Sequence, residues 1–349
     1  MPDRSTAQLL AAVLVAVGLL VAVSLPVPYV IESPGPVFNV LGSSPAGPLV
    51  TISGARTYPT SGALDLTTVS ERGGPGNRVL LTGLVGAWLT STDAVVPRAL
   101  LYPDSKSAAQ ITNDNTSQMA QSQDAAAIAA LRHLGLPVTL TVVVGDIDAG
   151  SPADGHLISG DRIVSVDGTP VTTADGVRAA VTKHQPGEKV VFVVVRAGKT
   201  LIVPLTTVAS TDSGPRRAIV GFTPGVGYTS PVKVTIQLND VGGPSAGLMF
   251  TLGIIDKLTP QQENGGRHVA GTGTMDENGN VGAIGGIRQK MAAARADGAT
   301  IFLVPASNCA EALMQVPDGL RLVKVTTVSD ALTGLAAAVT GRGTAPSCS

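Results

Sequence analysis

The sequence predicts an α+β protein in which an apolar N-terminal helix precedes three folded segments, and three observations lead there. An uncharged apolar run opens the chain at Leu9–Leu25. Short β-type runs separated by Gly, Pro and Asp-Gly turns dominate the chain to about residue 209. Helix-period and strand-period stretches then alternate as far as Thr340. With 349 residues, the chain can hold two or three domains of about 100–150 residues. Charged residues make up 14 % of it, against about 25 % in typical globular proteins. The net charge is −1 without any Lys/Arg block, which argues against a nucleic-acid partner.

The opening run, "LLAAVLVAVGLLVAVSL", carries no charge and only Ser24 as a polar side chain, and apolar character continues to Ile31. At 1.5 Å per residue that is long enough to cross a hydrocarbon core of about 30 Å. A cleaved signal peptide is the alternative, though its apolar region is shorter and Ala22-Val23-Ser24 fits a cleavage site only loosely. The reading is therefore a cytoplasmic tail at 1–6 and a transmembrane anchor over 7–30. Arg4 flanks its start and the next basic residue is Arg56, so the rest of the chain is expected to be extracytoplasmic, as a single-pass protein of the cell membrane.

Residues 31–116 read as a β-rich membrane-proximal segment that packs on the next domain along the chain and offers no chemistry of its own. Within 117–209, "DAAAIAALRHL" reads as a helix from Asp124 to Leu134 with Gly135 as its stop. A strand and turn, a hairpin around Asp167-Gly168, a second helix, and two strands joined at Ala197-Gly198 come next. "STDSGPRR" at 210–217 has the composition of a linker, the last domain is placed at 210–341, and 342–349 form a tail. Cys309 and Cys348 are the two cysteines. In an oxidising exterior they can bridge and pin the tail, or they are two unrelated thiols.

In "VGGPSAGLMF", Ser245 stands directly behind Gly-Gly-Pro at the mouth of an apolar helix-period run. Gly242 and Gly243 permit backbone that other residues resist, and Pro244 suits a helix entrance. Ser245 is then either an N-cap or a nucleophile beside the free N–H groups of a helix start. A serine nucleophile needs a base. His133, His156, His184 and His268 sit in no triad context, and no Gly-Asp-Ser-Gly stretch occurs. In "GGIRQKMAAARADGA", helical spacing aligns Ile287, Lys290, Met291 and Ala294, leaving Arg288, Gln289 and Arg295 outside that row. Lys290 is the one charge on the apolar face. It either snorkels to solvent or is desolvated, and desolvation favours the neutral amine that could take a proton from Ser245.

The Ser-Pro-Ala turn, the Gly-Asp pair and the Asp-Gly turn of "GSPADGHLISGDRIVSVDGTPV" resemble a PDZ domain of the bacterial protease-associated kind. That resemblance implies capture of an extended peptide, often a chain end, by strand addition near "LGLPVTL"; a spacer is the plainer alternative. The blocks "GPSAGLMF", "RHVAGTGTMDENGNVGAIGGIRQK" and "GATIFLVP" resemble the proteolytic domain of the Lon family. The resemblance implies a Lon-type α/β domain with Ser245 and Lys290 as catalytic pair and Thr272 positioning the amine. Gly243 and Ala246 support the serine, the oxyanion is held by backbone N–H groups nearby, and rings of identical subunits are implied as well.

Two departures stand out. Many Lon enzymes carry an acidic residue three positions before the serine, where this chain has Gly242, so that role is absent or shifted to Asp240. No Gly-x-x-x-x-Gly-Lys-[Ser/Thr] loop occurs. The expectation is an ATP-independent serine endopeptidase acting on unfolded or flexible polypeptides, without cofactor, and without metal because no ligand-spaced cluster is visible. The layout resembles membrane-anchored PDZ-containing Lon-like proteases of bacteria. Its rival is a tethered PDZ scaffold with an inactive Lon-type domain.

Overall fold

The computed structural model describes residues 4–44, 47–103, 107–210, 215–238 and 241–348. Helix α1 (Arg4–Ser24) covers the opening apolar run. Among the described residues, however, no helix is long and apolar enough to cross a membrane, which overturns the expected anchor over 7–30 and the single-pass placement that rested on it. The physical reason is length. Ser5, Thr6 and Gln8 interrupt the first turns and the helix stops at Ser24. The uninterrupted stretch Leu9–Val23 therefore rises only about 22 Å, against a hydrocarbon core of about 30 Å.

Strands β1 (Tyr29–Asn39), β2 (Val50–Ser53) and β3 (Ala63–Arg72) come next. The run "NRVLLTGLVGAWL" holds the short strand Val79–Leu80, paired antiparallel with Pro26–Val27, and then forms helix α2 (Leu81–Leu89), in which Leu84 and Ala87 bury one side at three-residue spacing. Strand β4 (Ala94–Pro97) leads into the long helix α3 (Ala108–His133). α3 starts well before Asp124. Ser107 accepts from the Gln110 N–H while the Gln110 side chain accepts from the Ser107 N–H, a capping box that fixes the start despite a polar first half.

The next body is a sheet of β5 (Thr139–Ile147), β6 (Arg162–Val166), β7 (Lys189–Arg196), β8 (Lys199–Thr206) and β9 (Phe222–Thr229), with helix α4 (Ala174–Val181) beside it. Its order is β8-β7-β6-β5-β9, with Thr169–Pro170 paired on β6. The β7–β8 hairpin turns at Ala197 and Gly198, both at positive φ. Phe192, Ile163, Leu157 and Val144 fill its core. β9 fits tightly along β5 because glycine lets it: a Cβ on Gly227 would sit 2.4 Å from Val143 Cγ1.

From β9 the chain passes to β10 (Lys233–Ile236), which pairs antiparallel with β2. Helix α5 (Gly247–Leu258), β11 (His268–Gly271), helix α6 (Ile287–Ala296), β12 (Ile301–Pro305), β13 (Arg321–Val325) and helix α7 (Val328–Thr340) complete it. Six strands join in the order β13-β12-β11-β3-β1-β4. The run from β13 to β3 is parallel, whereas β1 and β4 are antiparallel. Strands from the 31–116 region thus share one sheet with strands C-terminal to Ser245. Val269, Ile301 and Leu303 face α5, while Ala270, Phe302 and Val304 face α6, the period-2 alternation of a sheet covered on both sides. Cys309 and Cys348 are joined by a disulfide, with their Cα atoms 5.1 Å apart.

Candidate active site

Pro244 turns the chain into α5, but the helix begins one residue later than a serine cap requires. Ala246 is the N-cap (φ −92°, ψ −6°) and no side chain caps the helix. The alternative reading of Ser245 as N-cap therefore does not hold. Its Oγ has no hydrogen-bond partner among the described residues, while its carbonyl accepts from the Gly273 N–H at 2.9 Å and from Thr272 Oγ1 at 3.1 Å. The backbone is fixed and the hydroxyl is left over.

Helix α3 braces the turn in front of the serine. The Gly243 N–H donates to the Asn115 carbonyl at 3.1 Å, and Ser122 Oγ donates to the Pro244 carbonyl at 3.0 Å. Gly243 has φ +82°, and a Cβ on Gly242 would meet Asn115 Cβ at 2.8 Å, so both glycines are required here. Ala246 is buried. Asn115 and Ser122 escape sequence reasoning because they lie more than a hundred residues upstream; their one signal is the Ser107 cap that starts α3.

Lys290 sits in the first turn of α6 and is only 3 % exposed. Gln289, expected outside the buried row, is 2 % exposed as well, because α6 is covered on two sides. Lys290 Nζ donates to Thr272 Oγ1 at 3.2 Å, and Thr272, 1 % exposed, directly succeeds β11. Burial lowers the Lys290 pKa to about 8, with the Glu32 carboxylate pulling the other way. The snorkelling alternative is thus excluded. Ser245, Lys290, Glu32, Thr67 and Glu71 all line one cleft of about 760 Å³. Glu32, Thr67 and Glu71 come from β1 and β3, in the region read from sequence as chemically empty. Asp240 lies outside the described residues.

At the opposite end of β11, His268 Nε2 hydrogen-bonds Asp65 Oδ2 and lies 3.5 Å from Asp297 Oδ2. Sequence spacing showed no such cluster, since the parallel pairing of β3 with β11 is what brings His268 and Asp65 together.

Residues 114–207 match the family model of the PDZ domain, and residues 239–339 match that of the Lon protease (S16) C-terminal proteolytic domain. The chain carries a PDZ domain and a Lon-type proteolytic domain. It is similar to a Lon protease of Neorickettsia sennetsu, 39 % identical over 97 residues that cover 26 % of this chain and 11 % of that protein. A Lon protease of Clostridioides difficile is 35 % identical over 79 residues, covering 23 % of this chain and 10 % of that protein. The chain therefore spans about a tenth of the length of these relatives. Among solved structures it is similar to the PDZ domain of the SdrC-like protein from Listeria monocytogenes, at 20 % identity and TM-score 0.22, covering 24 % of this chain and 86 % of that one. The Lon-type domain supports a peptidase, and the PDZ domain supports peptide binding.

The free edge for such a peptide is not where the sequence placed it. Thr139 to Val144, the strand after "LGLPV", are paired with β9, so that edge is closed. β9 is itself the outer strand of the sheet. Between α4 and residues 217–224 lies a cavity of about 280 Å³, lined by Val177, Val181, Thr182, Ile219 and Phe222 among others. Residues 217–224 fall beyond the matched PDZ segment, which is why sequence reasoning missed them.

Proposed function

We propose that the chain is an ATP-independent serine endopeptidase with a Ser245–Lys290 dyad, and that its PDZ domain presents unfolded or flexible polypeptides to it. The observation that carries this reading is the buried Lys290 amine, hydrogen-bonded to Thr272 on the same cleft as a Ser245 hydroxyl that nothing else engages. With its pKa near 8, a useful fraction of that amine is neutral at ordinary pH and can accept a proton. Ser245 Oγ attacks the scissile carbonyl as its proton passes to Lys290 Nζ. The resulting ammonium returns the proton to the leaving amine, and a water deprotonated by the same lysine releases the acyl group. The Ala246 and Gly247 N–H groups, without an acceptor among the described residues, supply donors for the oxyanion, whereas the Leu248 N–H is taken by the Gly273 carbonyl.

The sequence holds no phosphate-binding loop of the Gly-x-x-x-x-Gly-Lys-[Ser/Thr] type. Substrates are accordingly chains that need no unfolding by nucleotide hydrolysis. A peptide end enters between α4 and residues 217–224, adding to the free edge of β9. Replacing Ser245 by Ala tests the proposal: cleavage of an unstructured reporter should fall by at least about 10³-fold while peptide binding persists. Full cleavage by that variant would refute it.

A further inference from the structure

We infer that Asn308 is a positioning residue for the peptidase reaction, clamping the backbone of Ile284 so that the entrance of α6 and one wall of the cleft hold the Lys290 amine on Thr272. The inference rests on the Ser245–Lys290 reading. Asn308 lies just after β12, is 6 % exposed, and uses both ends of its amide on one residue. The Ile284 N–H donates to Asn308 Oδ1 at 3.0 Å, and Asn308 Nδ2 donates to the Ile284 carbonyl at 2.9 Å. A buried amide bonded at both ends fixes a loop in the way a neighbouring strand would.

What it fixes is close to the chemistry. Ala283, Ile284 and Gly285 line the same cleft as Ser245 and Lys290. α6 starts two residues on, with Gly286 as an N-cap in the left-handed region and no side-chain cap. A Cβ on Gly286 would come within 2.6 Å of Val69 Cγ2, so this entrance has no slack on the β3 side. The Lys290 N–H bonds to the Gly286 carbonyl at 3.0 Å. α6 has no side-chain cap of its own, and the two bonds between Asn308 and Ile284 fix the chain two residues ahead of its N-cap. The next residue, Cys309, is tied to Cys348, which anchors the clamp from behind.

Asn308→Leu keeps the volume and removes both bonds. Measured on an unstructured reporter, its kcat should fall about tenfold or more. The pH midpoint of kcat should move upward from near 8, because a loosened amine regains water and its ordinary basicity. Glu32 on β1 is the charged group facing that amine, and Glu71 and Glu311 act in turn on Glu32; the substitution removes none of them. Backbone amide exchange across residues 283–287 should accelerate by at least about tenfold. An unchanged midpoint together with unchanged exchange at 283–287 would overturn the inference, whatever the melting temperature does. Should Asn308→Leu not fold, exchange at Ile284 in the unaltered protein decides: protection is expected, and exchange as fast as in the exposed turns overturns it. If Ser245→Ala retains cleavage, the dyad reading fails, whereas the exchange data still report on the clamp.

Discussion

Lys290 Nζ donates to Thr272 Oγ1 at 3.2 Å, and that hydroxyl donates in turn to the carbonyl of Ser245 at 3.1 Å. One threonine thus links the entrance of α6 to the turn that presents the serine. A charged ammonium is poorly served in this place, with a single neutral acceptor and 3 % exposure. The neutral amine is served well, which is the state a base requires.

Thr272→Val preserves shape and removes both hydrogen bonds. The amine then loses its acceptor and its fixed direction, and kcat on a flexible reporter should fall by about 10–100-fold with KM little changed. Steady-state kinetics of the purified variant check this, and wild-type kcat would refute it.

The same burial destabilises the fold. Lys290 has a pKa of about 8 in the folded protein and about 10.5 when unfolded, so the unfolded chain binds more protons between those values. Stability from this group rises with pH across about 8 to 10.5, and the full penalty, up to roughly 3 kcal/mol, is present below pH 8. Lys290→Met should therefore be inactive yet melt several degrees higher at pH 7, with the advantage shrinking towards pH 10. Denaturation midpoints against pH test the sign.

Gly243→Ala introduces a Cβ at φ +82° with open space around it, so its effect is backbone strain alone, about 1 kcal/mol. Gly242→Ala adds a contact at 2.8 Å to Asn115 Cβ and should displace α3 from the turn, lowering activity further than Gly243→Ala does. Parallel melting curves and cleavage rates separate the two.

Thr182→Trp, at an exposed position bordering the cavity beside α4, should weaken binding of a peptide with a free apolar end by tenfold or more. Cleavage of a short peptide that does not reach the PDZ domain should stay unchanged. Fluorescence anisotropy and a peptide assay read these separately.

Much of the site was legible because its signals are local. Gly-Gly-Pro before an apolar run gives away a helix entrance, and one lysine on an apolar stripe stands out at helical spacing. The capping role of Ser245 could not be rejected from sequence, since a one-residue shift of the helix start decides it. Glu32, Asn115, Ser122 and Asn308 were invisible for another reason: each meets the site through pairing or packing across long separations, and no local pattern marks them. Local periodicity starts α3 too late because its capping box lies ahead of a polar first half. Apolar composition overstates the opening helix because it runs on across Pro26 and Pro28, where the helix has already ended.

The central claim is that a neutral Lys290 draws the proton from Ser245. The most direct measurement is the rate at which a serine-reactive phosphonate labels the protein as a function of pH, with the labelled residue identified by mass spectrometry. The account predicts labelling at Ser245 that rises with a midpoint near pH 8 and falls by about 10²-fold or more in Lys290→Met. Labelling at Ser245 that is indifferent to pH and to the loss of Lys290 would contradict it.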